Sequence, residues 1–134
     1  MKTYVFACVH SAGRSQMAAA FFRLLADPAI ATAVSAGTAP ASAVHPEVIE
    51  AMRDVNVDLT AARPRLLTAE LAAGAAMLVT MGCGDACPYV PGLRTEDWAL
   101  PDPKGQPDDV VRRIRDDIRA RVAELIAREG LARA

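Results

Sequence analysis

The chain has 134 residues, of which 52% are hydrophobic and 23% are charged, and its formal net charge is -1. These are ordinary values for a globular protein that buries its own core, so we expect one domain over residues 1–134. The near-zero charge provides no basic stripe for nucleic acid, and no apolar run approaches the length of a membrane span or a secretory signal. We therefore expect a cytoplasmic protein with neither a nucleic-acid nor a membrane partner.

The first half of the chain alternates between strand and helix patterns. Residues 4–9 form an apolar run typical of a buried strand, residues 15–25 have a helical pattern, and residues 32–37 form a second strand closed by a glycine. A second helix is predicted over residues 45–55, because Pro46 suits a first helical turn.

The second half continues the alternation. Thr68 suits the N-cap of a short helix that Gly74 would end. Residues 75–81 predict a third buried strand and residues 94–100 a short fourth strand at a sheet edge. A long helix is predicted between Pro107 and Gly130, since apolar residues recur there with helical spacing. Its apolar stripe consists of Val110, Val111, Ile114, Ile118, Val122, Leu125 and Ile126.

This order of elements predicts an α/β fold. Strands that alternate with helices favour a parallel sheet, here of four strands, with helices on both faces in a three-layer α/β/α arrangement. Ligands of such sheets bind at the carboxyl ends of the strands. We therefore look for chemistry where each strand ends.

The segment CVHSAGRS, residues 8–15, lies at such an end. Cys8 would close the first strand, and Ala12 and Gly13 are small enough for the backbone to wrap inward and turn its N–H groups toward one point. The positive end of the following helix and the guanidinium of Arg14 would attract a tetrahedral oxyanion. The same field favours a Cys8 thiolate, to which Ser15 can donate a hydrogen bond. The residues that would surround the anion are Val9, His10, Ser11, Ala12, Gly13 and Arg14.

A plainer interpretation of Cys8 is a buried strand-end cysteine that acts as a small hydrophobe, with Arg14 on the surface. The strand, loop and helix in sequence favour the nucleophile instead. His10 and His45 have no partner pattern, and we assign no catalytic role to either imidazole.

Two further cysteines, Cys83 and Cys87, lie four positions apart in TMGCGDACP, after the third predicted strand. A zinc site would need two more ligands, and no second paired motif exists. Two unrelated buried thiols are a second possibility, although Gly82 and Pro88 indicate an irregular loop. A thiol pair that closes into a disulfide can supply two electrons, and the pattern favours this redox role.

The pattern C-x-x-x-x-x-R-S directly after the first strand resembles the phosphate-binding loop of low-molecular-weight protein tyrosine phosphatases, and of the arsenate reductases that share their fold. SAGT at residues 35–38, RPR at residues 63–65 and DP at residues 102–103 extend the resemblance over nearly the whole chain. With TMGCGDACP, the chain is similar in particular to three-cysteine arsenate reductases that are coupled to thioredoxin.

The resemblance implies a reaction, the reduction of arsenate to arsenite. Cys8 would attack arsenic while Asp102 protonates the departing hydroxide, and Cys83 and then Cys87 would carry a disulfide outward to a thioredoxin-like donor. It implies no tightly bound cofactor and no metal, and phosphate or sulfate would compete with arsenate. Because bonded cysteines need Cα atoms within roughly 7 Å, we also expect residues 82–88 to be mobile.

Other functions stay open. A phosphatase is one alternative, although tyrosine phosphatases of this fold usually carry an aromatic residue after DP, where this chain has Lys104. A reductase that uses glutathione or mycothiol with a glutaredoxin-like partner is another, and an oxyanion-binding module without catalysis is a third. Ser11 also departs from the asparagine usual in these loops, which tolerates a left-handed backbone better.

Overall fold

A computed structural model describes residues 1–82 and 90–133 of the chain. The elements are β1 (Lys2–Cys8), α1 (Arg14–Leu25), β2 (Ala31–Gly37), α2 (Pro46–Arg53), α3 (Ala69–Ala73), β3 (Met77–Thr80), β4 (Thr95–Asp97) and α4 (Asp108–Glu129). Each predicted element is present. The last two strands are shorter at both ends than predicted, because sheet pairing covers only their central residues.

The four strands form one parallel sheet in the order β2-β1-β3-β4. β4 lies at an edge, as predicted, and its first and last side chains are exposed. The register places Cys8 opposite Gly37 and Ala7 opposite Thr80, so three strands end together. The carboxyl edge of the sheet therefore gathers residues that are far apart in sequence.

Side chains of β1 alternate between two cores, which is the expected consequence of strand geometry. Tyr4, Phe6 and Cys8 belong to a larger core that includes residues from α1, α2 and α4. Val5 and Ala7 point to a smaller core on the opposite face, which includes residues of α3. Both faces of the sheet are thus covered, and the predicted three-layer α/β/α fold is confirmed.

The long helix α4 buries the predicted apolar stripe, except that Val110 is only partly buried. Arg115 on the same helix is buried as well, and its Nη1 donates to the carbonyl of Ala51 at 2.8 Å, which ties α4 to α2. Gly130 ends the helix in a left-handed conformation, a common helix C-terminus. Among the described residues, no helix combines the length and apolarity that crossing a bilayer requires.

Candidate active site

The loop of residues 9–13 joins β1 to α1 at the carboxyl edge of the sheet. Cys8, the last residue of β1, is 2% exposed, and Ser11 in the middle of the loop has a φ of 51°. The left-handed backbone expected at that position is thus present, although serine rather than asparagine adopts it.

Every backbone carbonyl from Cys8 to Gly13 accepts a hydrogen bond from a neighbouring segment. The pairs, donor first, are Thr38 N to Cys8 O (3.3 Å), Ala39 N to Val9 O (2.8 Å), Ala41 N to His10 O (2.9 Å), Gln16 Nε2 to Ser11 O (2.9 Å), His45 N to Ala12 O (2.9 Å) and Met17 N to Gly13 O (3.1 Å). Within residues 1–82 and 90–133, no backbone carbonyl accepts from the N–H groups of residues 9–13. Carbonyls held outward leave these N–H groups available to an anion.

The end of β2 supports this loop at very short range. A Cβ atom on Gly37 would lie 2.5 Å from the carbonyl oxygen of Val9 and 2.7 Å from the nitrogen of Ser11. Both atoms belong to the backbone, so they could not yield without deforming the loop. Gly37, which ends β2 within the SAGT segment, is therefore required by the shape of the loop.

The Cys8 sulfur lies at one end of a chain of buried hydroxyls. Cys8 Sγ is 3.0 Å from Ser15 Oγ, Ser15 Oγ is 2.6 Å from Ser35 Oγ, and Ser35 Oγ is 2.8 Å from Ser11 Oγ. The backbone N–H of Arg65 donates to Ser11 Oγ at 3.3 Å. We call Ser11, Ser35 and Ser15 the serine chain.

The N–H of Arg65 allows the serine chain to donate toward Cys8. Since that group can only donate, Ser11 accepts from it and can pass its own proton toward Ser35, which can do the same toward Ser15. Ser15 then has its proton free for the sulfur of Cys8. A donor aimed at the sulfur favours the thiolate, which is the nucleophilic form.

Ser35 and Gln16 extend the predicted set of site residues. Gln16 is buried, and its Nε2 donates both to Ser11 O at 2.9 Å and to Arg63 O at 3.1 Å. It thereby joins the oxyanion loop to the RPR segment. Both residues lie in or beside motifs visible in the sequence, but only the pairing of β1 with β2 brings Ser35 to the hydroxyl of Ser15.

Arg14 is the first residue of α1 and is 8% exposed. Its Nη1 donates to the carbonyl of Leu100 at 3.0 Å, and its Nη2 lies 3.9 Å from Asp102 Oδ2. The side chain of Asp102 is 45% exposed, and its Oδ1 accepts from the N–H of Lys104 at 3.0 Å. The structure thus brings the predicted acid to the mouth of the site.

The residue after that acid packs on the loop. A Cβ atom on Gly13 would lie 3.1 Å from Cγ of Pro103, which is buried. The DP segment therefore rests against the loop through a proline and a glycine. This contact limits how far Asp102 can move from the loop.

The two histidines of the chain meet at the rim of the site. Their rings meet edge to face at an interplanar angle of 71°, with centroids 6.3 Å apart, and the backbone N–H of His45 donates to the carbonyl of Ala12 in the loop. Burial lowers the pKa of His45 below its ordinary value, while the nearby carboxylates of Glu47 and Asp102 oppose that shift. His45 is therefore mainly neutral at neutral pH, so its imidazole adds little positive charge there.

Cys83 and Cys87 lie outside the described residues, as does most of the segment for which we expect mobility. Their redox pairing remains a prediction. In the part of the chain that the structure describes, no group of three or more His, Cys, Asp or Glu side chains is placed to hold a metal ion. The chain reaches Cys83 from the site itself, because Met81 N donates to Ala7 O at 2.7 Å and Gly82 follows beside Arg14.

Comparison with known proteins shows which family this chain matches. Residues 3–133 match the model for low molecular weight phosphotyrosine protein phosphatases. A putative arsenate reductase from Halobacterium salinarum is 40% identical over 126 residues, covering 90% of this chain and 87% of that protein.

Solved structures agree with this placement. A thioredoxin-dependent arsenate reductase from Corynebacterium glutamicum has a TM-score of 0.82 and 36% identity over 95% of this chain, which spans 61% of that longer chain. An arsenate reductase in a phosphate-binding state has a TM-score of 0.80 and 31% identity, covering 96% of this chain and 98% of that one. The match to the family model over nearly all 134 residues, together with these relatives, shows that this chain belongs to the low molecular weight phosphotyrosine protein phosphatase family.

Proposed function

We propose that this protein reduces arsenate to arsenite, with Cys8 as the nucleophile. One observation carries the proposal: the buried Cys8 sulfur lies 3.0 Å from the Ser15 hydroxyl, beside a loop whose backbone carbonyls are all hydrogen-bonded to other groups of the chain. Such a site binds a tetrahedral oxyanion and attacks it with sulfur. The arsenate reductase relatives support arsenate as that oxyanion.

The first step forms a bond between sulfur and arsenic. The Cys8 thiolate attacks arsenic(V) while Arg14 and the N–H groups of residues 9–13 hold the remaining oxygens. A hydroxyl group leaves arsenic with a proton from Asp102 and departs as water. Ser15 stabilises the thiolate before attack, since its hydroxyl oxygen lies 3.0 Å from the sulfur and can donate to it.

The second and third steps move two electrons. The Cys83 thiolate attacks Cys8 Sγ, the sulfur–arsenic bond breaks, and its electron pair leaves with arsenic, which departs as arsenite. The Cys87 thiolate then attacks Cys83, which releases Cys8 as a thiolate and leaves a Cys83–Cys87 disulfide. Arsenic is reduced by two electrons and the protein is oxidised by two, so one external dithiol completes the cycle.

A thioredoxin-like protein is the donor that we favour for this last reduction. The similar Corynebacterium glutamicum protein is a thioredoxin-dependent arsenate reductase, and the third cysteine of this chain would present a disulfide to such a partner. A low-molecular-weight thiol with a glutaredoxin-like protein is the alternative donor. Phosphate and sulfate are expected to compete for the same amides.

A phosphatase is the alternative function, since the family and the first bond-forming step are shared. The described residues provide little to recognise an aryl phosphate. Their phenylalanine, tyrosine and tryptophan side chains are all buried, and exposed Lys104 follows the DP segment. We therefore expect weak phosphatase activity at most.

A single-turnover experiment tests the proposal. Fully reduced protein is mixed with arsenate, free thiols are blocked, and the disulfide-linked peptides and released arsenite are measured by mass spectrometry. We expect one arsenite per protein and a disulfide between Cys83 and Cys87. In Cys87→Ser the disulfide should stop at Cys8 and Cys83, and Cys8→Ser should release no arsenite.

Three thiols that stay reduced in the wild-type protein would contradict the disulfide relay. Repeated turnover of an aryl phosphate that survives Cys83→Ser and Cys87→Ser would then identify a phosphatase. Arsenite release that depends on added glutathione or mycothiol would identify the alternative donor.

A further inference from the structure

We propose that Gly82 is a positioning residue for Arg14, and that its missing side chain is what lets the guanidinium face the oxyanion loop. A Cβ atom at Gly82 would lie 2.5 Å from Nη1 of Arg14, 3.2 Å from Cζ and 3.3 Å from Nη2. The guanidinium is therefore packed directly on the backbone of residue 82. The inference rests on the oxyanion-binding role proposed for Arg14.

The contact at Gly82 completes a socket for the guanidinium. Nη1 also donates to the carbonyl of Leu100, and Nη2 faces the carboxylate of Asp102. Leu100 and Asp102 thus contact the guanidinium from one segment, and Gly82 contacts it from another. The close backbone of Gly82 prevents the guanidinium from moving toward that side.

A side chain at residue 82 would displace Arg14 rather than the fold. The atoms that a Cβ would strike are the tip of a long, flexible side chain, which can move at small cost, whereas at Gly37 the obstructing atoms are backbone. Arg14 would move away from residue 82, lose its bond to Leu100 and turn from the centre of the loop. The expected loss is therefore in anion affinity.

The contact between Gly82 and Arg14 is also close in sequence to the second cysteine. Gly82 directly precedes Cys83, so the group that holds the anion touches the chain one residue before the proposed second thiol. A substitution at residue 82 is therefore expected to change the disulfide step as well as anion affinity.

The test compares Gly82→Ala with Gly130→Ala. Both glycines have positive φ, +100° and +69°, so alanine adds backbone strain at both, but a Cβ at Gly130 meets no described atom within 4 Å. Titration with inorganic phosphate should show roughly 10- to 100-fold weaker binding for Gly82→Ala, the size of one lost charge-assisted hydrogen bond. Gly130→Ala should bind phosphate like the wild type while losing thermal stability.

A second pair of variants separates Arg14 from other causes. In an Arg14→Ala background, adding Gly82→Ala should weaken phosphate binding no further, because the displaced group is already absent. If Gly82→Ala alone does not fold, the double variant Arg14→Ala/Gly82→Ala should fold and melt close to Arg14→Ala/Gly130→Ala. A double variant that also fails to fold would overturn the inference.

The outcomes also distinguish this inference from the proposed function. Wild-type affinity for phosphate in Gly82→Ala would overturn the role of Gly82 and leave the reductase proposal standing. A wild-type protein that binds neither phosphate nor arsenate would overturn both.

Discussion

At the scale of single residues, the serine chain makes the reactivity of Cys8 depend on hydroxyls that do not touch the substrate. In a Cys83→Ser/Cys87→Ser background, Ser15→Ala should slow the alkylation of Cys8 at neutral pH roughly 3- to 10-fold, since one hydrogen bond that the thiolate can accept is lost. Ser35→Ala should slow it by less, because Ser15 still reaches the sulfur.

The measurement is the rate of iodoacetamide reaction at neutral pH in that background, with exposed Ser42→Ala as the control. Equal rates for the background protein and its Ser15→Ala and Ser35→Ala variants would contradict the support that we assign to the serine chain.

Ser11 is the second residue whose replacement is informative. Its φ of 51° favours asparagine over serine, and an asparagine amide could both accept from the N–H of Arg65 and donate to Ser35 Oγ. We therefore expect Ser11→Asn to bind phosphate and arsenate a few-fold more tightly. Calorimetric titration checks this, and affinity equal to the wild type would mean that serine already holds the loop fully.

Residue chemistry explains which part of the site could be predicted. Cys8, Arg14 and Ser15 lie within one loop and one helix turn, so their spacing alone indicates that they meet. Ser35 and Leu100 come from other segments and reach the site only because parallel strands end at one edge. No spacing rule in a single sequence shows that a main-chain carbonyl at residue 100 would bind Arg14.

At the scale of elements, the carboxyl end of β2 packs tightly against the loop after β1 and supports its shape. Gly37→Ala should destabilise the protein by roughly 2–3 kcal/mol, because overpacking against backbone forces a shift in both strands. The same variant should lose phosphate binding, since the carbonyls of the loop are held by the residues that follow β2.

Chemical denaturation with and without phosphate measures both effects. Gly74→Ala is the matched control, since a Cβ there meets no atom closer than 3.7 Å. A Gly37→Ala protein with wild-type stability would contradict the tight contact between β2 and the loop.

The ends of elements show the limit of sequence patterns. A short edge strand was predicted over residues 94–100, but β4 stops at Asp97. The backbone N–H of Trp98 still donates to the carbonyl of Thr80 at 2.8 Å, and the carbonyl of Leu100 accepts from Arg14 instead of a strand. The last residue of the predicted strand thus serves the site and not the sheet.

At the scale of the whole molecule, a partly exposed cluster of Tyr4, Arg94 and Glu129 joins the first strand to the last helix. The hydroxyl of Tyr4 donates to Glu129 Oε1 at 2.9 Å, and Arg94 makes two 2.8 Å hydrogen bonds to the same carboxylate. Hydrogen bonding from Arg94 lowers the pKa of Glu129 to about 2, while burial and the bond to Glu129 raise the pKa of Tyr4 to about 12.

The lowered pKa gives the cluster a pH dependence of known sign. A depressed carboxylate stabilises the fold above its unfolded pKa near 4.5, and that contribution disappears as the pH falls toward 2. Glu129→Gln should therefore be less stable than the wild type at pH 7, by about 1 kcal/mol, and nearly equal to it at pH 2. Urea denaturation at several pH values checks this, with Glu96→Gln as the control, since the Arg128–Glu96 pair is more exposed than Glu129.

A stability difference that stays constant from pH 7 to pH 2 would contradict the role of the ionised carboxylate.

The layered fold that contains this cluster could be predicted from the sequence, because alternating strand and helix patterns permit few arrangements. The cluster could not be predicted, since its members lie up to 125 positions apart.

The outward carbonyls of the oxyanion loop mean that its amides are oriented before any anion arrives. The entropy of ordering that loop is lost when the protein folds, so binding should cost little beyond removing water from the anion. Such a preorganised site stabilises charge as it develops on the oxygens, because no dipole has to turn during the reaction. The backbone N–H groups of Thr38, Ala39, Ala41 and His45, which hold those carbonyls, are then as much a part of the catalyst as the loop that they orient.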